Sequence, residues 1–296
     1  MIITYGFGEH IIDVTEICLN KLINKKNNVI TITNNDLYRT WIFTDPIQYV
    51  LKKIFIHLNG IITEYEDHLT IKINMNDYSI TTLDHNKILI IHNKLKLLNG
   101  SFNHELPQQK MVSIYLTGKE KVLEIGGNNG RNSLVIGYIL NQQNNNNFVT
   151  LEIDTNLSNE LIKNRDLNQL QFFVENAALS KRKLIQKNLE TVPSDVLFKG
   201  YSDVNIISYD ELKKKYNIEF DTFIVDCEAA FYYILLDFPE ILNEIKLIIM
   251  KNDYWELYKK EYIEELLIKN NFILDYDESG GWGPCTNKFY EVWKKI

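Results

Sequence analysis

The hydrophobic and polar positions change their period about a third of the way along the chain. Up to about residue 92 the apolar residues fall in short runs rich in Ile, Val, Thr and aromatics. "IITYG", "HIIDVT", "NVITIT", "TWIFT", "KKIFIHLNGIITEYE" and "HLTIKIN" read as strands. Gly6, Gly8, Asn34-Asn35, Asp45-Pro46 and Asn59-Gly60 punctuate them as turns, and one helix, Val14 to Lys25, interrupts them. Short strands at this spacing predict a small antiparallel β-sandwich over 1–92, joined by a linker over 93–105 to a second domain over 106–296.

In that second domain, strand-like and helix-like runs alternate. Strands are predicted at 121–125, 148–153, 171–175, 221–226, 245–250, 271–276 and 288–293. Helices are predicted at 106–117, 132–141, 157–167, 229–243 and 254–270. Such alternation predicts a mostly parallel, Rossmann-like sheet with helices on both faces. The last two strands are separated only by "DESGGWGPCTNK", so they are expected to form an antiparallel hairpin at the sheet edge.

Composition supports a packed chain: 45% of the 296 residues are apolar, with 14 Phe and 17 Tyr. The net charge of −7 argues against a duplex-binding protein, and no nucleic-acid partner is expected. The one tight basic cluster, Lys181-Arg182-Lys183, reads as solvated surface. Cys18, Cys227 and Cys285 lie far apart without CxxC spacing, which disfavours structural zinc and suits a reducing compartment. No run reaches the ~18 apolar residues of a membrane span, and the N-terminus has no basic leader, so a cytoplasmic location is expected.

The chemistry starts at "VLEIGGNNGRNS". A strand that ends in a glycine turn and opens a helix is a ligand cradle, with free N–H groups at the helix start. The order Gly126-Gly127-Asn128-Asn129-Gly130 is not the dinucleotide spacing. Glu124, two residues before the first glycine, repels a pyrophosphate but suits an ammonium, which favours S-adenosylmethionine over NAD. Gly126, Gly127, Asn128, Gly130 and Ser133 form the rest of the expected cradle. Glu152, at the end of the next strand, is placed to accept from ribose hydroxyls and is preferred there over Asp154. Asn176 and Ala177, after the third strand, border an adenine in this reading, though Asn176 equally fits a turn-forming Asn. Asp226 and Glu228 follow the fourth strand, where they can orient a hydroxyl, take its proton or hold a cation.

Together these motifs resemble the FkbM-type methyltransferases, a branch of the class I S-adenosylmethionine-dependent enzymes. "EIGGNNG" is similar to that family's acid-x-Gly-Ala-Asn-x-Gly, with Gly127 in the Ala place. The family's strand-end Glu falls on Glu152, its Ala-Leu-Ser stretch on Ala178, Leu179 and Ser180, and its later acid on Asp210. Its "Lys-Ile-Asp-Val-Glu-Gly-Ala-Glu" block falls on Asp226, Glu228 and Ala230, while its Lys, Gly and last Glu become Ile224, Ala229 and Phe231. The resemblance covers roughly 100–296 and implies a class I methyltransferase fold and methylation of a sugar hydroxyl. The two-part chain and the "GGWGPC" tail resemble glycan-modifying proteins of large DNA viruses.

All six histidines lie between His10 and His104, so a carboxylate, Asp226 or Glu228, is the expected base. Glu105, Asp253 and Trp282 are the expected substrate contacts, with Trp282 placed to stack on a sugar face. Trp255 is expected to pack in the helix after the fifth strand. No metal is assigned, and a divalent cation on Asp226, Glu228 and Asp253 is the less favoured option. The N-terminal domain has glycan binding, dimerisation or shielding of the active site open to it. The alternatives are a glycan-binding or structural protein whose altered block has ended catalysis, and a methyltransferase with a non-sugar acceptor.

Overall fold

Strand alternation in the first 87 residues puts every second apolar side chain on one face. A computed structural model describes residues 1–187, 190–227 and 229–296 of the chain. It divides into two units, Met1–Lys87 and Ile88–Ile296. The first contains two four-stranded antiparallel sheets. One runs in the order His10–Asp13, Ile2–Phe7, Lys53–Leu58, Ile61–Tyr65. The other runs Ile23–Asn24, Val29–Ile32, Leu69–Asn74, Ile80–Asp84. Ile3, Tyr5, Ile54 and Ile56 from the first join Ile30, Ile32, Ile71 and Ile73 from the second in one buried cluster.

Two expectations for this unit change. "TWIFT" is not a strand but the second half of a helix, Asp36–Phe43. The Asn35 side chain caps it by accepting from the Tyr38 N–H at 3.0 Å, which outweighs the β-preference of Thr, Trp, Ile and Phe. The helix expected over 14–25 is shorter, a turn at Thr15–Ile17 continued as a wider π-type turn at Cys18–Leu22.

The second unit is built on seven strands: β1 (Val122–Ile125), β2 (Phe148–Leu151), β3 (Phe173–Glu175), β4 (Thr222–Val225), β5 (Leu247–Lys251), β6 (Phe272–Glu278) and β7 (Tyr290–Lys295). Their order is β3-β2-β1-β4-β5-β7-β6. β1 to β5 are parallel, and β7 runs antiparallel to both β5 and β6, as the missing helix between the last two strands requires. Every residue of β1, β2 and β4 is buried, so these strands read as mostly apolar runs, broken by Glu124, Thr150 and Thr222, rather than alternating ones. Helices among the described residues accompany them: α1 (Leu106–Tyr115), α2 (Arg131–Asn141), α3 (Thr155–Leu167), α4 (Tyr209–Tyr216), α5 (Ala230–Asp237) and α6 (Leu257–Lys269). Strand order reverses between β1 and β4, and such a reversal opens a crevice at the carboxyl ends of the strands.

Helix α4 lies in the stretch matched to the family's later acid. Ser208 and Glu211 close a reciprocal cap there, and Asp210 is an exposed first-turn residue. Between β3 and α4 the chain adds small strands that the hydrophobic pattern did not announce. Leu184–Lys187 pairs with Glu190–Pro193 on one side and Ser202–Val204 on the other.

Residues 93–105, read as a linker, belong to this second unit. The backbone of 93–105 is pinned by Asn164 of α3 and by Asn168, the residue that caps the C-terminal end of that helix. Asn168 accepts from the Lys96 N–H and donates to the Lys96 carbonyl. Asn164 accepts from the Leu98 N–H at 2.9 Å and donates to the Asn129 carbonyl at 2.8 Å. One buried side chain therefore ties this strap to the glycine turn. Among the described residues, no helix is long and apolar enough to cross a membrane.

Candidate functional site

The glycine turn is shaped by how closely β1, β2 and β4 converge beyond their ends. The Gly126 and Gly127 N–H groups both donate to the Leu151 carbonyl of β2. Gly126 sits at φ +92°, and a Cβ there would lie 1.8 Å from the Asp226 carbonyl oxygen. At Gly127 a Cβ would meet the Thr150 hydroxyl at 2.3 Å and Leu161 at 2.7 Å. Gly130 caps α2 and lies against Leu161.

A cavity of about 280 Å³ opens at these strand ends, entirely within the second unit. Gly126 and Asn128 from the turn, Glu152 beyond β2, Ala177 beyond β3, Asp226 beyond β4 and Glu105 before α1 all line it. Leu151, Ile153, Leu157, Ala178 and Leu179 supply apolar wall. The wall carries five carboxylates, Glu105, Glu152, Asp154, Asp226 and Asp237, against two cations, Arg182 and Lys251. Such a space favours a cationic ligand and disfavours a pyrophosphate.

The two acids beyond β2 divide their roles. Asp154 caps α3 by accepting from the Asn156 and Leu157 N–H groups. Glu152 accepts from the Asn128 N–H at 2.7 Å and the Asp154 N–H at 2.8 Å, which fixes its carboxylate at the turn. Burial pushes its pKa up against those two bonds.

Five expected cradle residues stand elsewhere, among them Gly130, which serves as the N-cap of α2. Glu124 is fully buried and is not among the residues lining the cavity. It accepts from Asn132 Nδ2 at 3.0 Å and from the Ser133 hydroxyl, so α2 takes the carboxylate that was expected to hold an ammonium. Burial pushes its pKa up to about 7. Ser133 is consumed in that bond, and Gly127 is packed on Thr150 and Leu161. Asn176 also turns away from the cavity wall. Its Nδ2 donates to the Glu152 and Ile153 carbonyls, and its Oδ1 accepts from the Thr155 hydroxyl.

Asp226 lies at the opposite wall in a cluster that the sequence did not suggest. Lys251, the last residue of β5, reaches it with Nζ. The same ammonium stands 3.5 Å from Glu105 and 3.7 Å from Asp253. These three carboxylates raise the Lys251 pKa despite burial, so it stays charged. Burial raises the Asp226 carboxyl to about 7, outweighing the ammonium beside it. Asp253 does not line the cavity; it accepts from the Ala229 N–H at 3.1 Å. A lysine ending an apolar strand reads as solvent-facing, and the missing signal was its two-residue spacing from Asp253. Lys251 occupies the place between Asp226 and Asp253 that a divalent cation was offered. Among the described residues, no group of three His, Cys, Asp or Glu is arranged to hold a metal ion. Glu228 lies outside the described residues.

Three further expectations change. Arg182 is not simply solvated: it lines the cavity, pairs with Asp237 at 2.7 Å and lies over the Tyr233 ring. Trp282 stands outside the cavity wall, half exposed. Trp255 is 70% exposed rather than packed, and its ring lies 5.0 Å from that of Trp282.

No protein-family model matches the chain, and no curated protein matches it. Solved structures that are similar to it include a ribosomal protein L11 methylase from Lactobacillus delbrueckii subsp. bulgaricus, with 11% identity, 68% of this chain and 84% of that chain covered, and a TM-score of 0.43. A putative O-methyltransferase from Klebsiella pneumoniae has 12% identity over 71% of this chain and 88% of its own, with a TM-score of 0.42. An O-methyltransferase from Bacillus cereus in complex with SAH has 16% identity over 71% and 90%, with a TM-score of 0.41. Likenesses at this level leave the chemistry to the site itself. By its own strand order the second unit is a Rossmann-like sheet closed by a reversed hairpin, with an acidic cavity at the switch point between β1 and β4.

Proposed function

We propose that the second unit binds S-adenosylmethionine and directs its methyl group to a sugar hydroxyl, with Asp226 as the base. The observation that carries this is the cavity wall: five carboxylates and two cations around a strand-end crevice with Glu152 at the β2 end. The cofactor supplies a sulfonium methyl, a cationic electrophile without phosphate. This fits an acidic wall better than NAD does, whose pyrophosphate would meet Glu152 and Asp226. Glu152 would hold the ribose hydroxyls on the lone pairs left free by its two backbone donors. Leu151, Ile153, Leu157 and Ala177 offer apolar surface to a purine. Gly126 and Asn128 line the approach to the amino-acid end.

On the acceptor side, Asp226 receives the hydroxyl proton while the oxygen lone pair takes the methyl group. The cofactor, when bound, would supply that methyl group and keep the bonding electron pair as a neutral thioether. A carboxyl near 7 is well matched to that task at neutral pH. Lys251 orients Asp226 and keeps Glu105 and Asp253 from repelling it. The sugar acceptor rests on the motif order that resembles FkbM-type enzymes. The hold of Lys251 on Asp226 favours one second reading, a cofactor-binding domain without catalysis.

Calorimetry with S-adenosylmethionine, its demethylated product and NAD tests the cofactor. Binding of NAD alone would overturn it. Transfer of labelled methyl groups to a panel of glycosides separates the enzyme from the inactive reading.

A further inference from the structure

The hairpin loop between β6 and β7 presses unusually close to the sheet. Gly281, at φ +56°, has the Phe289 ring where a Cβ would be, 2.2 Å away. Phe289 is buried, so the loop is seated on a fixed platform. This seat carries the next residue, Trp282, to the surface beside Trp255. Both indoles remain largely in water, 49% and 70% exposed, with ring centroids 5.0 Å apart and planes 39° apart. Two large rings that pack on each other yet stay exposed leave an apolar surface open to a ligand.

The pair is linked through neighbouring residues to the strand end that carries Lys251. Trp255 follows Lys251 by four residues and Asp253 by two. Trp282 contacts Phe289, and Phe289 contacts Tyr290, with centroids 6.5 and 5.1 Å apart. Tyr290 in turn is the register partner of Lys251 across β5 and β7. Among the acids near the pair, Asp277 and Glu278 end β6, while Asp253 and Glu256, close to Trp255 in the chain, are paired with Lys251 and Lys259. Lys259 and Lys260 are held by Glu256 and by Glu264 and Glu291. Lys288 is exposed in the loop and is outnumbered by those acids.

We infer that Trp255 and Trp282 form a carbohydrate subsite, holding a second pyranose ring of a neutral oligosaccharide whose neighbouring ring is methylated at Asp226. The inference rests on the proposed function and goes beyond it, because it makes the acceptor a chain of sugars rather than a nucleotide-linked one. An apolar sugar face stacks on an indole, and its hydroxyls find acceptors in the surrounding carboxylates. A diphosphate or an RNA backbone would meet the same carboxylates as like charge.

The test uses the full chain on a surface array carrying maltotriose, cellotriose and a rhamnose trisaccharide, with UDP-glucose and a 15-mer of polyadenylate RNA titrated in solution. Binding of the demethylated cofactor is measured on the same preparation. At least one trisaccharide is expected to bind, with W255A and W282A each weakening it about tenfold and W282F retaining most of the affinity. The cofactor affinity of all three variants should match that of the unaltered chain. Unchanged trisaccharide binding in both alanine variants, absence of trisaccharide binding, or tighter binding of UDP-glucose or RNA overturns the subsite. Failure of the cofactor to bind the unaltered chain overturns the proposed function instead.

Discussion

Replacing Glu124 by Gln tests whether this carboxylate belongs to the fold or to the cofactor. Glu124 has no solvent contact, and its partners are Asn132 Nδ2 and the Ser133 hydroxyl. A Gln can keep both contacts, because its carbonyl accepts from Asn132 and its amide can donate to a reoriented Ser133 hydroxyl. Burial holds the Glu124 pKa at about 7, against 4.5 without burial. Between those values the folded chain keeps a proton that the unfolded chain has released. The ionised side chain is thus a cost, absent below 4.5 and fully present above 7. From the two values this cost is about 1 kcal/mol at pH 5 and about 3 kcal/mol at pH 8. E124Q should therefore gain stability over the unaltered chain as pH rises, by about 2 kcal/mol across that interval. Urea unfolding at pH 5, 6.5 and 8, followed by a probe in the second unit, measures it. A stability difference that stays flat with pH would refute the burial argument. A large loss of cofactor affinity in E124Q, with stability unchanged, would restore Glu124 to the ammonium.

Four other outcomes follow from the geometry. E152A should weaken cofactor binding about tenfold by calorimetry, since it removes the carboxylate proposed to hold the ribose. K251M leaves Asp226 and Asp253 without their ammonium and should cost about 3 kcal/mol in chemical denaturation; D226N in the same chain should restore part of it, and additive losses would sink the pairing. Methyl transfer should rise with pH through about 7 as Asp226 loses its proton, and D226N should lower the rate about 100-fold without changing cofactor affinity. G126A places a methyl group on the Asp226 carbonyl and should cost about 3 kcal/mol or more, read as a lowered melting temperature or loss of soluble protein.

The strands of the second unit were legible because burial on both faces writes them as mostly apolar runs, and Glu152 and Asp226 were legible because acids end two of them. What the pattern hid depends on partners distant in sequence. The Asn176 side chain was free to be read as an adenine contact until the Glu152 and Ile153 carbonyls claimed it. Glu124 was read as facing a ligand because nothing in its neighbourhood announces that Asn132 and Ser133, eight and nine residues later and past the glycine turn, close over it. Lys251 could be placed only once β5 and β4 were side by side. In the first unit a single cap decided a segment: Asn35 made a helix of residues whose own preference is extended.

The strap at Lys96–Leu98 also has a consequence in time. Its bonds to Asn164 and Asn168 join residues 66 and 72 positions apart, so they close a long loop and must wait until α3 has been synthesised and docked. If these bonds form after the transition state, their removal would act on the rate of unfolding and leave the rate of folding unchanged. Because Asn164 also holds the Asn129 carbonyl, the closure of that loop is fastened directly to the glycine turn.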